Sequence, residues 1–196
     1  MVDAIPRTTG ELEAGLDEVV RAPRRTGRVL AVAVRPAVDR RELVEEAMID
    51  VDAGVMGDTW RSRGSSSTSD RSADPRAQVT VMNARFARLI AGEEVDRWAL
   101  AGDQLYVDLD LSVEHLPAGT RLSIGDAVLE VIEKPHTGCA KFSARFGVDA
   151  LRVVGSPQGS ALRLQGMNTR VITGGAVRVG DEIRITSVSH ERASGR

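Results

Sequence analysis

Cys139 is the single cysteine of this chain, and it lies in Lys134-Pro135-His136-Thr137-Gly138-Cys139-Ala140-Lys141-Phe142, where an extended run turns into a helix. Helix N-terminal amides and the nearby cations Lys141, Arg145 and His136 favour thiolate over thiol, and thiolate is the nucleophilic and metal-binding form. Pro135 and Gly138 impose an irregular backbone ahead of the sulfur, and the mouth of a loop is where reactive groups tend to sit. The bland alternative is a small apolar residue packed in the interior, the usual fate of a lone cysteine.

Other chemistries at this segment are poorly supplied. A Cys-His hydrolase needs a base, His136 or His115, yet His136 stands only three residues from the thiol and no orienting carboxylate is marked by the sequence. His136 and Cys139 would make two ligands of a zinc site, and two ligands do not make a site. A second candidate for binding is the Ser-rich stretch 61–76, whose Arg61, Arg63, Arg71 and Arg76 could clamp an anion if the loop folds over a pocket. Otherwise it is a mobile surface insertion.

The elements that must position these groups fit one core. With 196 residues and 42% hydrophobic content, the chain fills a single domain, expected as an N-terminal helical extension (1–27), a core (28–186) and a tail (187–196). The 26 basic and 28 acidic residues nearly cancel, so no overall attraction to nucleic acid or anionic lipid is expected. No apolar stretch reaches the ~20 residues that cross a bilayer, and residues 1–9 lack the apolar centre of a secretory signal, which predicts a cytoplasmic protein.

Thr8 and Glu11 form a capping-box pattern ahead of a helix with Leu12, Leu16 and Val19 on one face, ending before Pro23. Residues 28–35 read as a strand, 38–48 as either helix or strand, and 78–82 as a strand followed by a helix capped by Asn83. Gly102-Asp103, Gly125-Asp126 and Gly180-Asp181 each precede a β-prone run, a pattern of turns between strands. With Leu162 to Leu164 and Arg170 to Thr173 as further strands, the pattern predicts an α+β, mainly β architecture: an antiparallel β-barrel with peripheral helices.

The order of motifs resembles the MOSC family, the C-terminal domain of molybdenum cofactor sulfurases that also occurs as free-standing bacterial proteins. The resemblance spans Arg28 to Thr186 and rests on Gly57-Asp58-Thr59-Trp60, Gly102-Asp103-Gln104-Leu105-Tyr106-Val107, Leu122-Ser123-Ile124-Gly125-Asp126-Ala127, the Cys139 segment, Asn168-Thr169-Arg170-Val171-Ile172-Thr173-Gly174-Gly175 and Val179-Gly180-Asp181. Relatives commonly have proline before the cysteine, where this chain has Gly138, and an aromatic-containing motif where it has Gly166-Met167-Asn168-Thr169-Arg170.

The resemblance implies a β-barrel of the MOSC, pyruvate-kinase-barrel-like type. It implies Cys139 as the catalytic thiol, carrying a persulfide or ligating molybdenum, and Lys141, Arg170, Asn168, Arg61, Asp58 and His136 as residues binding the molybdenum cofactor, molybdopterin. As a sulfur carrier the chain would need a separate cysteine desulfurase, because it is too short to contain the pyridoxal phosphate fold that generates persulfides. The implied acceptor is a molybdoenzyme. Two further implied roles are a molybdenum-dependent reductase of N-hydroxylated compounds, fed by an electron-transfer partner, and a binding module that has kept the fold without the chemistry.

Overall fold

All three Gly-Asp pairs turn the chain into strands in the computed structural model, which describes residues 6–136 and 140–187. The elements in chain order are α1 (Thr9–Val20), β1 (Thr26–Val34), β2 (Glu42–Val44), β3 (Glu46–Asp50), β4 (Gly54–Val55), α2 (Trp60–Arg63), β5 (Val79–Asn83), α3 (Ala84–Ala91), α4 (Val95–Trp98) and β6 (Leu105–Asp108). There follow β7 (Arg121–Ile124), β8 (Ala127–Val131), α5 (Ala140–Phe146), α6 (Val148–Gly155), α7 (Pro157–Ala161), β9 (Met167–Thr173), β10 (Gly175–Arg178) and β11 (Glu182–Ser187). The segment 38–48, ambiguous in sequence, is β2 and the start of β3.

The strands run in the order β11-β7-β8-β9-β5-β6-β1, and β1 pairs back onto β11 through Thr26 opposite Arg184, which closes a seven-stranded barrel. Closure removes the free edges that an open sheet exposes. The barrel is mixed: β5 and β6 run parallel, with Val81 beside Leu105, while the other barrel pairs are antiparallel. A parallel pair needs a crossover, and α3 and α4 supply it. A small sheet, β10-β3-β4, leans on the barrel.

Alternation along the strands fills two apolar compartments. Val29, Val107, Leu122, Leu129 and Ile183 point into the barrel, whereas Ala31, Met82 and Tyr106 point outward under a layer of helices. Leu12 and Leu16 of α1, Phe86 of α3, and Phe142 and Phe146 of α5 complete that outer layer. Each such side chain contributes about 1.5–3 kcal/mol by leaving water. The packing also orients α5: Phe142 and Phe146, four residues apart with rings 5.1 Å apart, fix its inner face, and Lys141 and Arg145 are carried round to another face.

Caps follow the sequence expectation. Thr8 and Glu11 form a reciprocal capping box on α1. Asn83 Oδ1 accepts from Arg85 N at 2.8 Å and Phe86 N at 3.3 Å, while its Nδ2 donates to the Leu109 carbonyl at 2.9 Å. Asn83→Ala should therefore lose a helix cap and orphan a buried carbonyl, lowering stability by about 2 kcal/mol in urea denaturation.

Leu162 to Leu164 corrects the expected strand. Ser156 and Pro157 start α7, Leu162 caps its C-terminus, and Arg163 takes a left-handed φ of 48° in a turn closed by Gly166 N donating to Arg163 O at 2.8 Å. The apolar alternation Leu162, Leu164 serves the helix layer, where Leu164 is fully buried.

Candidate functional site

Among the described residues, cations converge beside the C-terminal end of β1 and the start of α5 more densely than their counter-ions do. Asp58, whose carboxylate is completely buried, accepts from Arg35 Nε at 2.8 Å, Arg35 N at 3.1 Å, Trp60 N at 2.8 Å and Gln104 Nε2 at 3.4 Å. Arg41 and Arg63 both lie within electrostatic range of Arg35 and Asp58. Burial, then repulsion from Arg35, lowers the pKa of each, with Arg145 adding to the repulsion on Arg41. The Arg41 Nε is buried without a hydrogen-bond partner among the described residues.

The second carboxylate of the group is Asp39, at a left-handed φ of 59°, which meets Lys141 Nζ at 2.5 Å and Arg145 Nη2 at 3.8 Å. Hydrogen bonding from Lys141 holds the Asp39 carboxyl below its ordinary value. Arg35, Arg41, Arg63, Lys141 and Arg145 thus share Asp58 and Asp39. Such an excess of positive charge attracts anions, and guanidinium groups suit phosphate.

The Ser-rich loop is organised around Asp74 instead of hanging free. The buried Asp74 carboxylate receives Arg76 Nη2 at 3.0 Å, Lys134 Nζ at 2.8 Å and Ser67 Oγ at 3.0 Å, tying the loop to the segment that leads toward residue 139. Of the four loop arginines, Arg63 and Arg71 line a shallow hollow of about 510 Å³, Arg76 is engaged by Asp74, and Arg61 is near Asp50. Arg76 above all, with Lys134 and Ser67, holds the Asp74 carboxyl far below its ordinary 3.8, against the effect of burial.

A depressed folded-state pKa contributes stability that is complete above the unfolded value and is lost as pH falls toward the folded one. Asp74→Asn should therefore lower stability at neutral pH and flatten the acid limb below pH 3.8, where the wild type loses this contribution. Urea denaturation across that range measures it.

A deeper cleft of about 920 Å³ lies on the other side of the Lys134 to His136 segment, between the barrel mouth and α6–α7. Ile132, His136, Val154, Arg163 and Met167 contribute to its walls. Arg163 Nη1 donates to the Leu116 carbonyl at 2.7 Å and the Leu111 carbonyl at 3.2 Å, and burial lowers its pKa. Behind His136 stands Asp103, fully buried, with Oδ1 at 3.4 Å from His136 Nδ1 and neither oxygen hydrogen-bonded among the described residues.

The residues expected from the sequence are thus divided. Lys141 and Asp58 belong to the arginine-rich group, and His136 faces the cleft. The buried Asn168 donates from Nδ2 to the Lys134 carbonyl at 3.1 Å, bracing the segment next to that cleft. Arg170 sits on the barrel wall, 2.6 Å from Glu130, which it shares with Arg121. Arg61 is exposed on α2. Cys139, the expected thiol or metal ligand, lies outside the described residues.

Sequence reasoning missed Asp103 and underused Arg35 and Arg41. The signal for Asp103 was available: Leu105, Tyr106 and Val107 are apolar on both faces, so the aspartate ahead of them enters an interior, unlike Asp126 and Asp181.

A closed mixed β-barrel with outer helices and a basic face defines the class. The model of the MOSC domain matches residues 68–184, and the chain belongs to that family. No curated protein matches it. Among solved structures, the fold is shared with the YuaD protein from Bacillus subtilis (TM-score 0.63, 16% identity, covering 84% of this chain and 97% of that one). It is also shared with YiiM from Escherichia coli (0.55, 17% identity, 84% and 72%) and YiiM from Geobacillus stearothermophilus (0.54, 11% identity, 82% and 75%). Among the described residues, no helix is long and apolar enough to cross a membrane.

Proposed function

We propose that this chain binds the molybdenum cofactor, with the arginine-rich group receiving its phosphate and Cys139 supplying a thiolate ligand. The observation that supports this reading is the charge imbalance: among the described residues, five cations share two carboxylates, and Arg41 Nε is buried without a partner. That donor set fits an anionic group. Arg41, Arg63 and Arg145 would hold the phosphate, Asp58 keeps Arg35 in place, and Lys141 follows Cys139 by two residues in the chain. When bound, the group supplies a redox-active metal centre.

Reduction of N-hydroxylated compounds with an electron-transfer partner is the reaction such a complex could serve. Sulfur transfer from a cysteine desulfurase to a molybdoenzyme needs the same thiol but no anion cradle, so the arginine group favours cofactor binding over a bare persulfide carrier.

Metal and pterin analysis of protein from a cofactor-competent host tests the proposal. Retention of both is expected, and Arg41→Gln combined with Arg63→Gln should lower pterin retention by about tenfold, the effect of losing ~1.4 kcal/mol of charge-assisted contact. Absence of molybdenum and pterin, both as purified and after reconstitution, would overturn it. If mass spectrometry then finds added sulfur on Cys139 after incubation with a desulfurase and cysteine, the carrier role replaces it.

A further inference from the structure

We infer that His136 is a proton-transfer residue of the 920 Å³ cleft and that Asp103 is its positioning residue. The inference goes beyond cofactor binding and does not depend on it.

An aspartate with no exposed side-chain surface and, among the described residues, no hydrogen bond to either oxygen is costly, because a buried carboxylate gives up its hydration without compensation. Among the described residues, the polar atom placed to relieve it is His136 Nδ1, 3.4 Å from Oδ1 and itself buried without a hydrogen bond. The backbone is shaped around this contact. A Cβ at position 166 would stand 2.6 Å from Asp103 Oδ1 and 3.2 Å from His136 Nδ1, and Gly166 leaves that space open.

Of the other charged groups that line the cleft, two are held by other partners. Lys134 is held by Asp74 and Ser67, Arg163 by two carbonyls, and Glu133 is exposed on the segment before His136. Tyr106, on the strand that follows Asp103, is fully buried, and its phenol is pushed up first by burial and then by Asp103. Among the described residues, Asp103 is the carboxylate that faces the imidazole.

About a quarter of the His136 side chain is exposed and lines the cleft, while Nδ1 is the buried nitrogen. The facing Asp103 carboxylate favours a proton on Nδ1, which leaves Nε2 for a ligand. The imidazolium donates its Nε2 proton to a basic nitrogen or oxygen of that ligand, and the ring returns to the neutral form protonated on Nδ1. The reverse transfer makes it a base. The cleft is sized for a small organic molecule carrying such an atom.

Nitrogen-15 NMR of the full chain with labelled histidine tests this, with His136→Gln assigning the signal. Neutral His136 is expected as the Nδ1-protonated tautomer in the wild type, and Asp103→Asn should shift the proton toward Nε2 without moving the His115 signals. A wild-type His136 that carries its proton on Nε2, or shows no preference, overturns the inference even if the Asp103 variant fails to fold. Diethyl pyrocarbonate should modify His136 several-fold faster than His115, whose Nε2 is engaged by the Arg24 carbonyl. Protection of His136 would also overturn the inference.

Discussion

Asp58→Ala should cost about 3–5 kcal/mol, the usual penalty when one partner of a buried ion pair is removed. The carboxylate is fully buried and satisfies four donors at once: two from Arg35, one from Trp60 and one from Gln104. Its loss strands Arg35, whose side chain is only 10% exposed, beside Arg41 and Arg63, which already repel it. Gln104 Oε1 also accepts from Thr80 N, so the disturbance reaches β5 at the barrel wall. For a chain of this length the loss corresponds to a fall in Tm of roughly 10 °C. Thermal and urea denaturation measure it, and a loss below about 1 kcal/mol would show that Asp58 is not the counter-ion holding the cluster together. Replacing Arg35 and Asp58 together by apolar residues should recover much of the loss, because no uncompensated charge then remains.

Asp58 illustrates how a motif was legible while its role was not. Gly57-Asp58-Thr59-Trp60 marked the position, and the resemblance placed it among cofactor-binding residues. In the structure its carboxylate acts on the protein's own Arg35 and Trp60. The barrel was readable because each strand reports locally: Gly-Asp turns, β-branched runs and the Asn83 cap are short-range signals. Barrel closure through β1 and β11, and the parallel β5–β6 pair, depend on contacts between distant segments that no local pattern encodes.

The site divides along the same line. Lys141 and Arg145 could be tied to Cys139 by proximity in sequence, but their meeting with Asp39 joins residues about a hundred positions apart. Asp103 was hidden by its likeness to Asp126 and Asp181. Asp181 receives the Arg178 N–H in a turn, as expected of Gly-Asp, whereas the Asp103 carboxylate has no hydrogen bond among the described residues and faces His136. The carboxylate that faces the imidazole is one of three aspartates that follow glycine ahead of a strand and are alike in sequence.

Gly166→Ala should separate that contact from ordinary backbone strain. At φ +95 any side chain is strained by about 1–3 kcal/mol, and the same applies to Gly102 at φ +105. Around Gly102 nothing among the described residues lies within 4 Å of a new Cβ, so Gly102→Ala carries the strain alone. At Gly166 the Cβ would also meet Asp103 Oδ1 at 2.6 Å, the Val81 carbonyl at 3.0 Å and His136 Nδ1 at 3.2 Å, adding about 1–3 kcal/mol of overpacking. The Val81 carbonyl belongs to a barrel strand and cannot yield cheaply, so the side chains of Asp103 and His136 must move apart. Urea denaturation should find Gly166→Ala less stable than Gly102→Ala by that margin, and the His136 tautomer should lose its preference in the former and keep it in the latter. Equal costs at the two glycines, with an unchanged His136 signal, would mean that the backbone at 166 does not hold the pair together.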